Sequence, residues 1–81
     1  MANVETPTGI PQEVVEAHVL RDVPMVRAWR EHLGLTQQQL SERSGLLQPA
    51  LARMESGKGK LGKVTRQKLA DALGIGPDQL L

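Results

Sequence analysis

The sequence of 81 residues contains no cysteine. Disulfide scaffolds, zinc sites with cysteine ligands and cysteine nucleophiles are therefore excluded. The absence agrees with a reducing compartment, and we expect a cytoplasmic protein. We expect no metal or other cofactor, because the only two histidines, His18 and His32, fall on different predicted helices and have no cysteine companions.

Aromatic residues and long apolar runs are also scarce. Trp29 is the only aromatic residue, which argues against modules that stack single-stranded nucleic acid on several exposed rings. The longest apolar runs are only a few residues, too short to cross a bilayer, so no membrane is expected as a partner. The sequence offers no grouping of nucleophile, acid and base, so we do not expect an enzyme.

Charge is divided unevenly along the chain. Residues 1–22 contain four acids against one base, whereas residues 23–81 contain nine bases against five acids. Within residues 43–68, which we call the basic block, seven bases accompany a single acid, Glu55. Such a block indicates either an anionic partner or a solvated lysine and arginine face.

Glycine, proline and capping residues divide the chain into five predicted helices and a last turn. Thr36 followed by Gln39 is a capping box that starts one helix, and Gly34, Gly45 and Gly74 are typical helix stops. The predicted helices cover residues 12–20, 24–33, 37–44, 48–55 and 65–73, and the turn covers 77–81. Because no alternating strand pattern is present, the sequence predicts a small all-α bundle. We expect a flexible N-terminal segment with a short helix at 1–22 and a folded domain at 23–81.

The stretch from residue 35 to 57 has the pattern of a helix-turn-helix. Two short helices are joined by a tight turn at Gly45. Core contacts are expected from apolar side chains on both helices and the turn: Leu40, Leu46, Leu51 and Met54. Four side chains of the second helix are expected to point outward: Gln48, Pro49, Ala52 and Arg53. Gln pairs with adenine and Arg with guanine in the major groove of DNA, so this helix is a candidate for reading bases.

Residues 25–76 resemble the lambda-repressor/Cro-like helix-turn-helix family, called XRE. The resemblance is carried by these segments: Trp29-Arg30, Gly34-Leu35-Thr36-Gln37-Gln38-Gln39-Leu40, Gly45-Leu46, Gln48, Leu51-Ala52-Arg53-Met54-Glu55-Ser56-Gly57-Lys58 and Leu69-Ala70-Asp71-Ala72-Leu73-Gly74-Ile75. It implies about five packed helices and binding to double-stranded DNA. It also implies a homodimer on a palindromic operator, acting as a transcriptional repressor.

The resemblance further implies roles for individual residues. Contacts to base edges are expected from Gln48, Pro49 and Arg53. Phosphate contacts are assigned to Gln37, Arg43, Ser56, Lys58 and Lys60. A partly buried ion pair is assigned to Arg30 and Glu55. Leu47 departs from the pattern, since the family often has a Ser or Thr there to cap the recognition helix.

Two other functions remain open from the sequence. The segment from Ile10 to Val15, followed by that from Val26 to Glu31, is similar to the DNA-binding part of HigA-like type II antitoxins, which implies a toxin protein as a further partner. The alternative from another class is a helical interaction module whose basic loop binds an acidic protein. Binding to duplex DNA, and its dependence on salt, discriminates between DNA binding and this module.

Overall fold

Five α-helices and a final 3₁₀ turn make up the part of the chain that the computed structural model describes, residues 9–57 and 61–80. The helices are α1 (Gln12–Leu20), α2 (Met25–His32), α3 (Gln37–Ser44), α4 (Gln48–Glu55) and α5 (Lys63–Leu73), and the turn covers Pro77–Leu80. No strand occurs in these ranges, and the predicted all-α class is confirmed. None of the described helices is long and apolar enough to span a membrane.

Local signals set the bounds of α3 as predicted. Thr36 Oγ1 accepts a hydrogen bond from the backbone nitrogen of Gln39 at 3.0 Å. In return, Gln39 Oε1 accepts one from the backbone nitrogen of Thr36 at 2.8 Å. The helix ends where Gly45 adopts a φ of 74°, in the left-handed region that a residue without a Cβ enters at little cost. The observed bounds of α1, α3 and α4 coincide with the predicted ones.

Three details differ from the sequence prediction. Helix α2 was expected to begin at residue 24, but it begins at Met25, and Pro24 is the N-cap, whose side chain has no atom that can accept a hydrogen bond. Helix α5 begins at Lys63 rather than at 65, because the extended conformation of the chain ends at Gly62. Leu33, expected to be the last residue of α2, is its C-cap and is 44% exposed.

The core is shared by every helix. The largest fully buried side chains come from four different helices: Val14 (α1), Leu40 (α3), Leu51 (α4) and Leu69 (α5). Trp29 of α2 is 4% exposed, and its Nε1 donates a hydrogen bond to the backbone oxygen of Gln79 at 3.0 Å. The indole therefore attaches the C-terminal turn to α2.

Helix α1 packs against α2 and contributes to the same core. Val14 is fully buried and Ala17 is 3% exposed, whereas Val19 and Leu20 near its end are exposed. A helix of nine residues is not stable alone, so these contacts stabilise it. The core extends across residue 22, where the sequence suggested a boundary, and residues 1–8 of the segment expected to be flexible lie outside the described residues.

Candidate nucleic-acid interface

Helices α3 and α4 form a helix-turn-helix whose turn is held by two serines. Ser41 Oγ of α3 donates a hydrogen bond to the backbone oxygen of Leu46. Ser44 Oγ accepts one from the backbone nitrogen of Leu46 at 3.3 Å. Leu46 itself packs against the core. Sequence spacing gave no sign of these two hydrogen bonds, because both partners are backbone atoms beyond the end of α3.

Helix α4 is divided between a buried face and an exposed N-terminal end. Leu51, Met54 and Glu55 are buried, so the helix cannot rotate without opening the core. Gln48, Pro49 and Arg53, the residues expected to read bases, are all exposed. Pro49 and Arg53 are four residues apart and therefore share one face of the helix.

The expected outward position of Ala52 is only partly observed, because this residue is half-buried. It faces a cavity of about 300 Å³ between α2, α3 and α4. The cavity is lined by Arg27, Arg30, Gln37, Ala52, Glu55 and Ser56. Ala52 thus faces neighbouring helices as well as solvent.

Arg30 of α2 and Glu55 of α4 form a buried two-contact ion pair. Arg30 Nε donates to Glu55 Oε2 at 2.8 Å, and Arg30 Nη2 donates to Glu55 Oε1 at 2.9 Å. Arg30 Nη1 also donates to the backbone oxygen of Leu35 at 2.8 Å. The hydrogen bonds to Glu55 raise the pKa of Arg30, although burial acts in the opposite direction. The guanidinium therefore remains charged and holds α2, the start of the helix-turn-helix and α4 together.

The same pair removes a negative charge from the exposed surface. Glu55 is the only acid in the basic block, and its side chain is 3% exposed. An exposed carboxylate there would repel a phosphate backbone. Because Arg30 neutralises it and the core covers it, the solvent-facing charges of the described part of the block are all positive.

Gln37, expected to bind phosphate, is the first residue of α3 and is half-buried. Its Nε2 donates to Glu55 Oε1 at 3.3 Å. A primary amide has two hydrogens on this nitrogen, so one remains for an acceptor outside the protein. Spacing in the sequence gave no sign of this bond between residues eighteen positions apart.

The other residues expected at phosphates are placed differently. Ser56 is exposed at the edge of the same cavity, and its Oγ donates to the backbone oxygen of Arg53 at 2.7 Å. Arg43 is exposed on the last turn of α3 and does not line this cavity. Lys58 and Lys60 lie outside the described residues.

The described ranges contain no group of three or more His, Asp or Glu side chains that could hold a metal ion. The polar side chains of the candidate interface carry amide, hydroxyl and guanidinium groups. These groups donate hydrogen bonds to base edges and phosphates.

Comparisons with known proteins agree with this geometry. A family model described as Helix-turn-helix matches residues 26–80. A crystal structure of the restriction-modification controller protein C.AhdI from Aeromonas hydrophila matches with a TM-score of 0.66 and 36% sequence identity, over 69% of this chain and 85% of that one. Among curated protein sequences, none matches.

The chain belongs to the XRE-type, lambda-repressor-like helix-turn-helix family, as the sequence predicted. It is a DNA-binding transcription regulator and not an enzyme. Helix α1 precedes the matched residues, so it is an addition to the part shared with the family model.

Proposed function

We propose that this protein is a homodimeric, sequence-specific repressor that inserts α4 into the major groove of a palindromic operator. The observation that carries the proposal is the exposure of Gln48, Pro49 and Arg53 on a helix whose opposite face is fixed in the core. A rigid helix with exposed amide and guanidinium groups can discriminate adenine and guanine by their major-groove edges.

Charge supports the same orientation. The basic block has basic residues before and after α4 in the sequence, and its single acid is buried against Arg30. Lysine and arginine side chains near a duplex release counterions and give affinity for any sequence. Gln37 and Ser56 lie at one cavity edge beside α4, a position that suits hydrogen bonds to the phosphates that flank the groove.

The small size of α4 favours a dimer. One helix of eight residues offers few base contacts, and single modules bury too little DNA surface for high specificity. Two copies related by a two-fold axis would read two half-sites about 34 Å apart. A palindromic operator is the expected target.

The name of one solved structure that matches this chain bears on what this regulator controls. That protein is named a restriction-modification controller, and its similarity extends over most of its own length. We propose the same type of role here, namely control of a restriction-modification system. The antitoxin role that the upstream segment suggested is the competing assignment, and copurification with a neighbouring toxin would support it.

The proposal is tested by selecting binding sites from a random duplex library with the full chain. We expect a palindromic sequence to emerge, with half-site centres one helical turn apart. Sedimentation should show a complex of two protein chains with one duplex. Affinity for the selected duplex should exceed affinity for a scrambled duplex and should decrease steeply with salt.

Absence of any preferred sequence would overturn the proposal. If the chain bound an acidic polypeptide and showed no preference among duplexes, the interaction-module alternative would be correct. A one-to-one complex with a selected sequence would overturn the dimer alone.

A further inference from the structure

We propose that Leu47 reads the 5-methyl group of a thymine in each half-site. The inference rests on the proposed function and deepens it, because it adds an apolar contact to a surface otherwise described by hydrogen bonds. The occupant of this position is DNA, and the feature recognised is one methyl group in the major groove.

Leu47 occupies the N-cap of α4 without performing the usual task of an N-cap. Ser, Thr, Asp and Asn are preferred there because their oxygens accept backbone hydrogen bonds from the first turn. A leucine side chain has no such acceptor, and Leu47 is also 76% exposed. It therefore neither caps the helix nor packs into the core.

The surroundings of Leu47 place it at the end of α4 that would enter the groove. Gln48, Pro49 and Ala50, which follow it, are all exposed. In helix-turn-helix proteins the N-terminal residues of the second helix contact base edges. Leu47 directly precedes Gln48, so the two side chains reach neighbouring positions along the groove.

Thymine supplies the matching chemistry. Its C5-methyl is the apolar group on the major-groove edges of the four bases, and apolar side chains contact it. Gln48 is suited to adenine on the same edge. The pair of residues therefore favours a step rich in A·T pairs in the half-site.

A protein partner fits this position less well. Leu47 lies within the basic block of the sequence, whose only acid is buried, and a cationic segment attracts phosphate. Of the exposed residues that follow it, Gln48 is polar and Pro49 and Ala50 are small, so Leu47 is the one large apolar side chain exposed at this end of α4. One large apolar side chain within a cationic segment matches one methyl group beside phosphates.

The test uses the duplex found by site selection and replaces one thymine at a time with uracil, which lacks the methyl group. We expect the wild-type chain to lose roughly fourfold in affinity at one thymine per half-site, as one buried methyl predicts. Leu47→Ser should bind thymine and uracil duplexes equally. Val64→Ser, at the exposed Val64 of α5, is the matched control and should keep the wild-type discrimination.

Leu47→Ser should change thymine discrimination without lowering the stability of the fold. Serine is a good N-cap, so this variant should melt no lower than the wild type. Equal affinity of the wild type for all thymine and uracil duplexes would overturn the inference. Persistence of the discrimination in Leu47→Ser would overturn the assignment to Leu47. If site selection yields an operator, either of these results leaves the repressor proposal intact. If site selection yields no preferred sequence, the repressor proposal is overturned.

Discussion

The guanidinium of Arg30 contacts both carboxylate oxygens of Glu55, at 2.8 and 2.9 Å, and so connects α2 to the last residue of α4. The side chains are 14% and 3% exposed. Arg27, three residues earlier on the same helix, forms its ion pair with Glu31 at the surface, where the side chains are 49% and 40% exposed. Two arginines on one helix thus form a buried and an exposed pair.

The buried pair is expected to matter far more for folding than the exposed one. Arg30→Ala leaves the Glu55 carboxylate buried without a cation and should lower the free energy of unfolding by about 3 kcal/mol. Arg27→Ala, the matched control, should cost about 0.5 kcal/mol or less. Thermal melting of both variants measures the difference, and equal melting temperatures would show that the Arg30–Glu55 pair does not stabilise the fold.

The base-reading assignment predicts losses that depend on sequence. Gln48→Ala and Arg53→Ala should each weaken binding to the selected operator by about 1–3 kcal/mol and leave scrambled duplexes nearly unaffected. Gln67→Ala, at an exposed position on α5, is the control and should bind like the wild type. Equal losses of affinity for the operator and for scrambled duplexes would show that Gln48 and Arg53 of α4 do not read bases.

Phosphate contacts predict losses that do not depend on sequence. Lys58→Ala, and separately Lys60→Ala, should weaken binding to all duplexes alike and reduce the slope of log affinity against log salt by about one. Arg21→Ala, in the acidic N-terminal segment, should leave that slope unchanged. If both lysine variants keep the wild-type slope of log affinity against log salt, Lys58 and Lys60 do not contact the DNA backbone.

Helix α1 offers two valines with opposite environments. Val14 is fully buried and Val19 is 67% exposed. Val14→Ala should lower the free energy of unfolding by about 1.5–3 kcal/mol, whereas Val19→Ala should stay within about 0.5 kcal/mol of the wild type. Denaturant titration compares them, and a small effect at Val14 would mean that α1 contributes little to the core.

Much of the helix pattern was predictable because its causes are local. The capping box of Thr36 and Gln39 involves residues three positions apart, and Gly45 needs only its own backbone freedom to end α3. The exposure of Gln48 and Arg53 followed from the apolar spacing of α4. The start of α5 was misplaced because an extended glycine and the residues after it carry no strong capping signal.

The interface depended on contacts that sequence spacing does not reveal. Ser41 and Ser44 hold the turn through Leu46 backbone, and Gln37 donates to Glu55 from another helix. Ala52 became half-buried because α2 and α3 approach it. Each of these contacts forms only when the helices have reached their final positions.

The sequence by itself determined the helices, the turn of the helix-turn-helix and the positive charge around it. These properties arise from residues within a few positions of one another, or from composition. Only the tertiary structure decided which charges remain facing solvent. By placing Arg30 against Glu55 it buried the one acid of the basic block, because an ionised carboxylate is tolerated in the interior only beside a cation and with its hydrogen bonds satisfied.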